Sequence, residues 1–162
     1  MLHFDIRGNL IPEPAIQPIS IADFETHFVD DFEDSNTRFV LFEALQHYIK
    51  QWQTLISTDF EMWIDGSFIT TKTNPKDIDI LTFVDYQDYH RCKDLLENQF
   101  LSETTKNVGI DAYVLKTYPI DHPSYPIYRS DYLYWLNHFG RTRLNRQKKQ
   151  FKKGIIQLNF KS

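Results

Sequence analysis

The sequence predicts one domain of α/β or α+β fold, and three observations carry that expectation. Apolar residues recur with helical spacing between Ser20 and Leu55. From Phe60 the period drops to two, and from there strand-like runs alternate with helical ones. The chain has 162 residues, of which 41% are hydrophobic and 25% charged. That balance supports one buried core and excludes a disordered tail, a collagen-like chain or a coiled coil.

Taken in order, the first 19 residues read as an extended arm. Gly8-Asn9 marks a turn in it, and Pro12, Pro14 and Pro18 block a helix. Ser20 is a natural N-cap, and Ile21, Phe24, Phe28 and Phe32 carry a helix to about residue 32. A second helix is expected from Ser35 to Leu55, its stripe formed by Phe39, Phe42, Leu45, Ile49 and Trp52. Phe60, Met62 and Ile64 then alternate with Glu61, Trp63 and Asp65, a strand that Gly66-Ser67 ends. Residues 77–84 read as a second strand. Asp85 caps a helix expected to reach Phe100, with Tyr89, Cys92, Leu95 and Leu96 inward. A third strand is expected from Gly109 to Leu115. The proline- and tyrosine-rich segment 117–129 reads as an ordered loop, followed by a short aromatic helix from Ser130 to Phe139 that Gly140 closes. The basic stretch after it reads as helix or loop, and Ile155 to Leu158 as the last strand.

Charge is unevenly spread. The formal net charge is −4, yet residues 139–162 hold eight basic residues and no acidic one. The remaining ten basic and 22 acidic residues leave residues 1–138 at −12. The segment 141–153 therefore folds back on its acidic body, forms a solvated face or meets phosphate. No apolar run approaches the roughly 20 residues that cross a bilayer, and the first residues lack the plan of a secretory signal. A cytoplasmic protein without a membrane partner is expected. A single cysteine, Cys92, and six histidines without metal-ligand spacing exclude a disulfide framework and a zinc cluster. No Gly-x-Ser-x-Gly elbow is present.

The chemistry-bearing residues lie in the middle. Asp77 and Asp79 are two apart on a strand, so both carboxylates leave one face while Ile78 and Ile80 enter a core. Two carboxylates there repel unless a cation lies between them, and Mg²⁺ or Mn²⁺ suits such oxygen donors. Among 15 aspartates that spacing is weak by itself; the context strengthens it. Gly66 and Ser67, at the end of the preceding strand, can bring backbone N–H groups and a hydroxyl against a phosphate. Thr70 and Lys72 can add contacts, and Lys76 flanks the motif. Asp111, on the third strand, is a third carboxylate. Three carboxylates beside a phosphate-cradling turn are the equipment of two-metal phosphoryl transfer.

These residues resemble the signature of polymerase-β-like nucleotidyltransferases: Gly66-Ser67, then Asp77-Ile78-Asp79-Ile80, then Asp111 on a later strand. The opening Phe4-Asp5 and Gly8-Asn9-Leu10, the run Asp65-Gly66-Ser67-Phe68-Ile69-Thr70, Pro75-Lys76-Asp77, and the closing Lys153-Gly154-Ile155-Ile156 are similar to an uncharacterised bacterial branch of that superfamily, a domain of unknown function. The resemblance implies a mixed β-sheet with helices on one side and an active site at the Gly66-Ser67 turn. It implies Mg²⁺ or Mn²⁺ on Asp77, Asp79 and Asp111, with Gly66, Ser67, Thr70 and Lys72 around the nucleotide. The activity implied is transfer of a nucleoside monophosphate from an NTP, ATP by default, to a hydroxyl of a protein, nucleic acid or small molecule. Many active relatives carry an arginine after the Gly-Ser, where this chain has Phe68-Ile69-Thr70-Thr71-Lys72. The alternative expectation is a catalytically silent member of the fold, an antitoxin-like partner of a toxin-like protein or a nucleic-acid-binding module.

Overall fold

A computed structural model describes residues 1–162. Its centre is a five-stranded sheet made of β1 (Ile16–Pro18), β2 (Phe60–Asp65), β3 (Ile78–Asp85), β4 (Ile110–Thr117) and β5 (Ile155–Phe160). The spatial order is β1-β5-β2-β3-β4. β2 runs antiparallel to both its neighbours, while β3 pairs with β4, and β1 with β5, in parallel. The sheet is therefore mixed, as α+β architecture allows.

Register decides what each face carries. Ile64 lies opposite Ile80, and Ile80 opposite Ala112. One residue along, Trp63 faces Leu81 and Leu81 faces Tyr113. With a side-chain period of two, these rows point to opposite faces.

The first face meets helices α1 (Ile21–Glu25), α2 (Arg38–Leu55) and α3 (Tyr86–Arg91), then α4 (Lys93–Leu95) and α5 (Glu103–Asn107). It holds the larger core, 24 buried residues that include Phe24, Phe28, Trp52, Ile64 and Ile80. The second face meets α6 (Tyr125–Phe139) over a core of only six, around Trp63, Leu81 and Phe139. Most of the hydrophobic stabilisation thus lies on the first face, which leaves the second free to carry charge.

Ser20 caps α1 as its spacing predicts: its hydroxyl oxygen accepts from the Asp23 N–H at 3.0 Å. Asp85 likewise accepts from the Gln87 N–H at 2.8 Å at the start of α3. Other expectations need correction. Helices cover both faces rather than one, because Tyr128, Tyr132 and Trp135 of α6 pack over Trp63, Leu81 and Phe83; α6 also begins at Tyr125 and not at Ser130, inside the segment expected to be a loop. Pro126 falls in its first turn, where a missing N–H costs nothing, so a proline-rich composition masks a helix start. Phe39 is 60% exposed. The buried stripe of α2 centres near Leu45, and Phe39 lies about 120° around from it. The first helix continues past Glu25 only as a wide π-helical segment, Thr26–Asp30, and the expected helix to Phe100 breaks at Cys92 before a second such segment, Leu96–Phe100. α5 and the three-residue β1 appear where no element is expected.

The basic segment is neither helix nor free loop. Arg141 bridges Lys152, and the Thr142 N–H donates to the Phe151 carbonyl at 2.8 Å. The chain reverses near Asn145 and Lys148, the latter in the left-handed region at φ 57°. It forms a short hairpin beside the N-terminal arm. No helix is long and apolar enough to cross a membrane.

Candidate active site

Asp65, Asp79 and Asp111 stand opposite one another in register on β2, β3 and β4. They form one row across three strands, on the face that α6 covers. Asp77 precedes β3 by one residue, and its charge acts on Asp79. Asp111 thus shares a sheet face with Asp79. Its carboxylate accepts a hydrogen bond from the Tyr113 hydroxyl at 3.2 Å.

Asp65 and Asp79 of the row open on a cavity of about 1200 Å³, whose lining takes in Tyr113 but not Asp111. Asp65, Asp77 and Asp79 line its floor. Gly66, Ser67, Thr70 and Lys72 line one wall, and Leu133, Tyr134, Asn137 and His138 of α6 another. Lys76, Arg141 and Arg143 add positive charge to the lining. Gly66 has φ +81° and lies against Asp79, so a Cβ there would run into the Asp79 carboxylate. A glycine is required by both conformation and space.

Ser67 opens a single 3₁₀ turn, Ser67–Ile69. The Thr70 hydroxyl donates to the Ser67 carbonyl at 2.7 Å and accepts from the Lys72 N–H at 3.2 Å. It shapes the loop, while Lys72 remains exposed at the cavity. The loop is held from below by Arg38 of α2, fully buried, whose guanidinium donates to the carbonyls of Phe28, Phe68, Thr70 and Lys72 at 2.6–2.8 Å. Its charge also lies 3.7 Å from the Phe32 ring centre.

Electrostatics set this floor apart. Burial first, then the charges of Asp77, Asp65 and Asp111, push the Asp79 carboxyl up to about 6, with Lys153 pulling the other way. Lys153 makes a buried ion pair with Asp65, 2.5 Å between Nζ and Oδ1. Burial nonetheless raises the Asp65 carboxyl above its ordinary range. Because Asp79 holds its proton more tightly folded than unfolded, its ionised form opposes folding. That penalty is absent below about pH 4, grows through the window up to about pH 6 and is complete above it. Asp79→Asn is therefore expected to stabilise the protein in EDTA at pH 7.5 by about 1–2 kcal/mol, and by nothing at pH 4. Urea unfolding at the two pH values checks this; a loss of stability at pH 7.5 would contradict it.

The donor set, carboxylate oxygens on a charged floor, suits a hard divalent cation by chemistry. Geometrically, the side chains share a face, but no three His, Cys, Asp or Glu groups are gathered closely enough to hold a metal ion. Sequence reasoning singled out Asp77, Asp79 and Asp111 but gave no role to Asp65, Arg38 or the α6 wall. Asp65 had a signal in the Asp-Gly-Ser run at the end of an apolar strand. Arg38, an arginine amid the apolar start of a helix, had none that told burial from exposure.

Fold and site define an α+β protein with a row of aspartates across one sheet face beside a glycine-serine turn. A model described as a family of unknown function (DUF6932) matches residues 2–159. The chain belongs to that family. No curated protein and no solved structure matches it.

Proposed function

We propose that the protein is a metal-dependent nucleotidyltransferase that moves a nucleoside monophosphate from an NTP, ATP by default, to an acceptor hydroxyl. The observation that carries this reading is the carboxylate row, Asp79 flanked in register by Asp65 and Asp111, with Gly66 packed on the Asp79 carboxylate. Asp77 and Asp79, both on the cavity floor, would offer carboxylate oxygens to Mg²⁺ or Mn²⁺, which when bound would neutralise charge on the phosphate oxygens. The remaining work falls to the chain. The Gly66-Ser67 turn offers N–H groups and a hydroxyl to phosphate oxygens, and Lys72 and Lys76 offset their charge. Asp111, oriented by Tyr113, takes the proton of the attacking hydroxyl. A new bond forms between that oxygen and the α-phosphorus, and the bond to the β-phosphate oxygen breaks to release pyrophosphate. The acceptor, a protein or a nucleic acid, approaches along the basic segment 141–153.

A second reading is favoured by one observation. Lys153 already neutralises one carboxylate of the row, which suits a silent member of the fold that binds a partner such as a toxin-like protein. Thermal unfolding separates the two. With the Mn²⁺–ATP complex, taken as one ligand, at a hundredfold excess over its dissociation constant, binding stabilises by about 2.7 kcal/mol, a shift on the order of 5–10 °C at this size. Asp77→Ala with Asp79→Ala should abolish the shift. Absence of any shift with the four NTPs would remove catalysis and leave the partner reading.

A further inference from the structure

Beside the cavity lies a second, smaller cleft of about 540 Å³ between the N-terminal arm and the basic hairpin. Arg7 comes from the arm, and Arg143 and Lys149 from the hairpin; Asn145, Gln147 and Phe151 complete most of the lining. No acidic residue lines it. Asn9, Thr142 and Arg143 line both this cleft and the carboxylate cavity, so one runs into the other.

The Arg7 side chain and the hairpin backbone that carries Arg143 and Lys149 are held in place before any ligand arrives. The Arg7 guanidinium is stacked 3.7 Å above the Phe151 ring centre. Its backbone is fixed by Asp5, whose carboxylate accepts from the Arg7 N–H at 2.8 Å and the Asn9 N–H at 3.0 Å. That carboxylate also lies 3.5 Å from the Arg7 side chain, which stays half exposed. Across the cleft, the Asn145 side chain accepts from the Gln147 and Lys149 N–H groups at 2.9 Å and fixes the hairpin tip. A stacked arginine presents a planar fork that matches phosphate oxygens, and preorganisation lowers the entropy lost on binding.

We propose that this cleft binds the backbone phosphates of a single-stranded nucleic acid whose terminal hydroxyl reaches the carboxylate cavity as the acceptor. The proposal rests on the nucleotidyl-transfer reading above and names its acceptor. Three features favour a strand over an acidic protein. Arginine forks suit phosphate, the cleft continues into the floor where a hydroxyl would be activated, and a strand places such a hydroxyl at its end. Residues 1–138 carry a net −12, so the body discourages polyanion binding elsewhere. Sequence selectivity is not expected, since the lining contacts phosphates rather than base edges.

Fluorescence anisotropy with a 5′-fluorescein oligoadenylate of about twelve nucleotides, in RNA and DNA form, tests this across a salt series. The full-length protein should bind with a log–log salt slope that Arg7→Gln with Lys149→Gln makes shallower by about 1.4, at ~0.7 per lost contact. Affinity at low salt should fall at least tenfold. Lys50→Gln with Lys106→Gln, the same charge change outside the cleft, should leave the slope unaltered. The Mn²⁺–ATP melting shift is measured on the same variants and should persist in Arg7→Gln with Lys149→Gln. An unchanged slope in that variant overturns the cleft proposal, as does polyglutamate of equal charge competing as well as the oligonucleotide. If the strand binds as described while no NTP shifts the melting point, the cleft stands as a nucleic-acid site and the transferase reading falls instead.

Discussion

Arg38→Met is expected to lower the unfolding free energy by about 3–5 kcal/mol, as read from urea midpoints. The guanidinium bonds four carbonyls from two segments that do not otherwise share a ladder: Phe28 on one side, and Phe68, Thr70 and Lys72 on the other. No carboxylate faces it; carbonyl dipoles and the Phe32 and Phe68 rings take that place. Burial draws its pKa down to about 10, which leaves it charged at neutral pH. Methionine fills much of the volume but returns none of the donors, so buried acceptors lose their partners. Arg38→Lys keeps the charge and cannot span four acceptors in two directions, so it should cost about half as much. Because three of those carbonyls belong to the loop after Gly66-Ser67, the lysine variant should also bind Mn²⁺–ATP more weakly. A loss under about 1 kcal/mol in Arg38→Met would mean that water replaces the guanidinium and that the loop does not depend on it.

The sheet was legible where both periods are clean. Phe60 to Asp65 alternates, and its odd and even residues go to opposite faces as read. Asp111 could be placed on the face of Asp79 because Ile78, Ile80, Ile110 and Ala112 declare the buried side by the same parity. What escaped were features that local sequence does not encode. β1 is three residues long and ends in proline, and only its pairing with β5 defines it. α6 hides its start behind Pro126. The hairpin at 141–153 reads as charge alone, and its shape comes from side-chain to backbone bonds at Thr142 and Asn145.

The same limit explains the floor of the site. Carboxylates in register could be inferred strand by strand, but Asp65 and Lys153 are 88 residues apart. Their pairing depends on β5 lying beside β2, a neighbour relation that no window of sequence reveals. So the charge state of the row, the property on which its chemistry turns, was the part least open to reading. Of the basic residues near the end of the chain, Lys153 folds back onto the acidic body, while Arg143, Lys148 and Lys149 stay on a solvated face.

Lys153→Met is the direct test of that arrangement, with an expected loss of about 3–5 kcal/mol at pH 7.5. The Asp65 and Lys153 side chains are 10% and 9% exposed, so the change leaves a largely buried carboxylate without its countercharge. The sign of the pH dependence follows from Asp65. Burial already pushes its carboxyl up, and the ammonium is the strongest influence holding it down. Without Lys153 the folded state binds a proton at Asp65 more tightly than the unfolded chain does, so the penalty grows as pH rises and fades as the carboxyl protonates. The deficit relative to the parent protein should therefore shrink as pH falls from 7.5 towards about 5. Adding Asp65→Asn removes the stranded charge, and the double variant should recover most of the loss at pH 7.5. The coupling from the four-protein cycle should exceed about 2 kcal/mol. A deficit that does not change with pH, together with additive single losses, would show that Lys153 stabilises through its packed methylenes and that Asp65 bears no net charge beside Asp79.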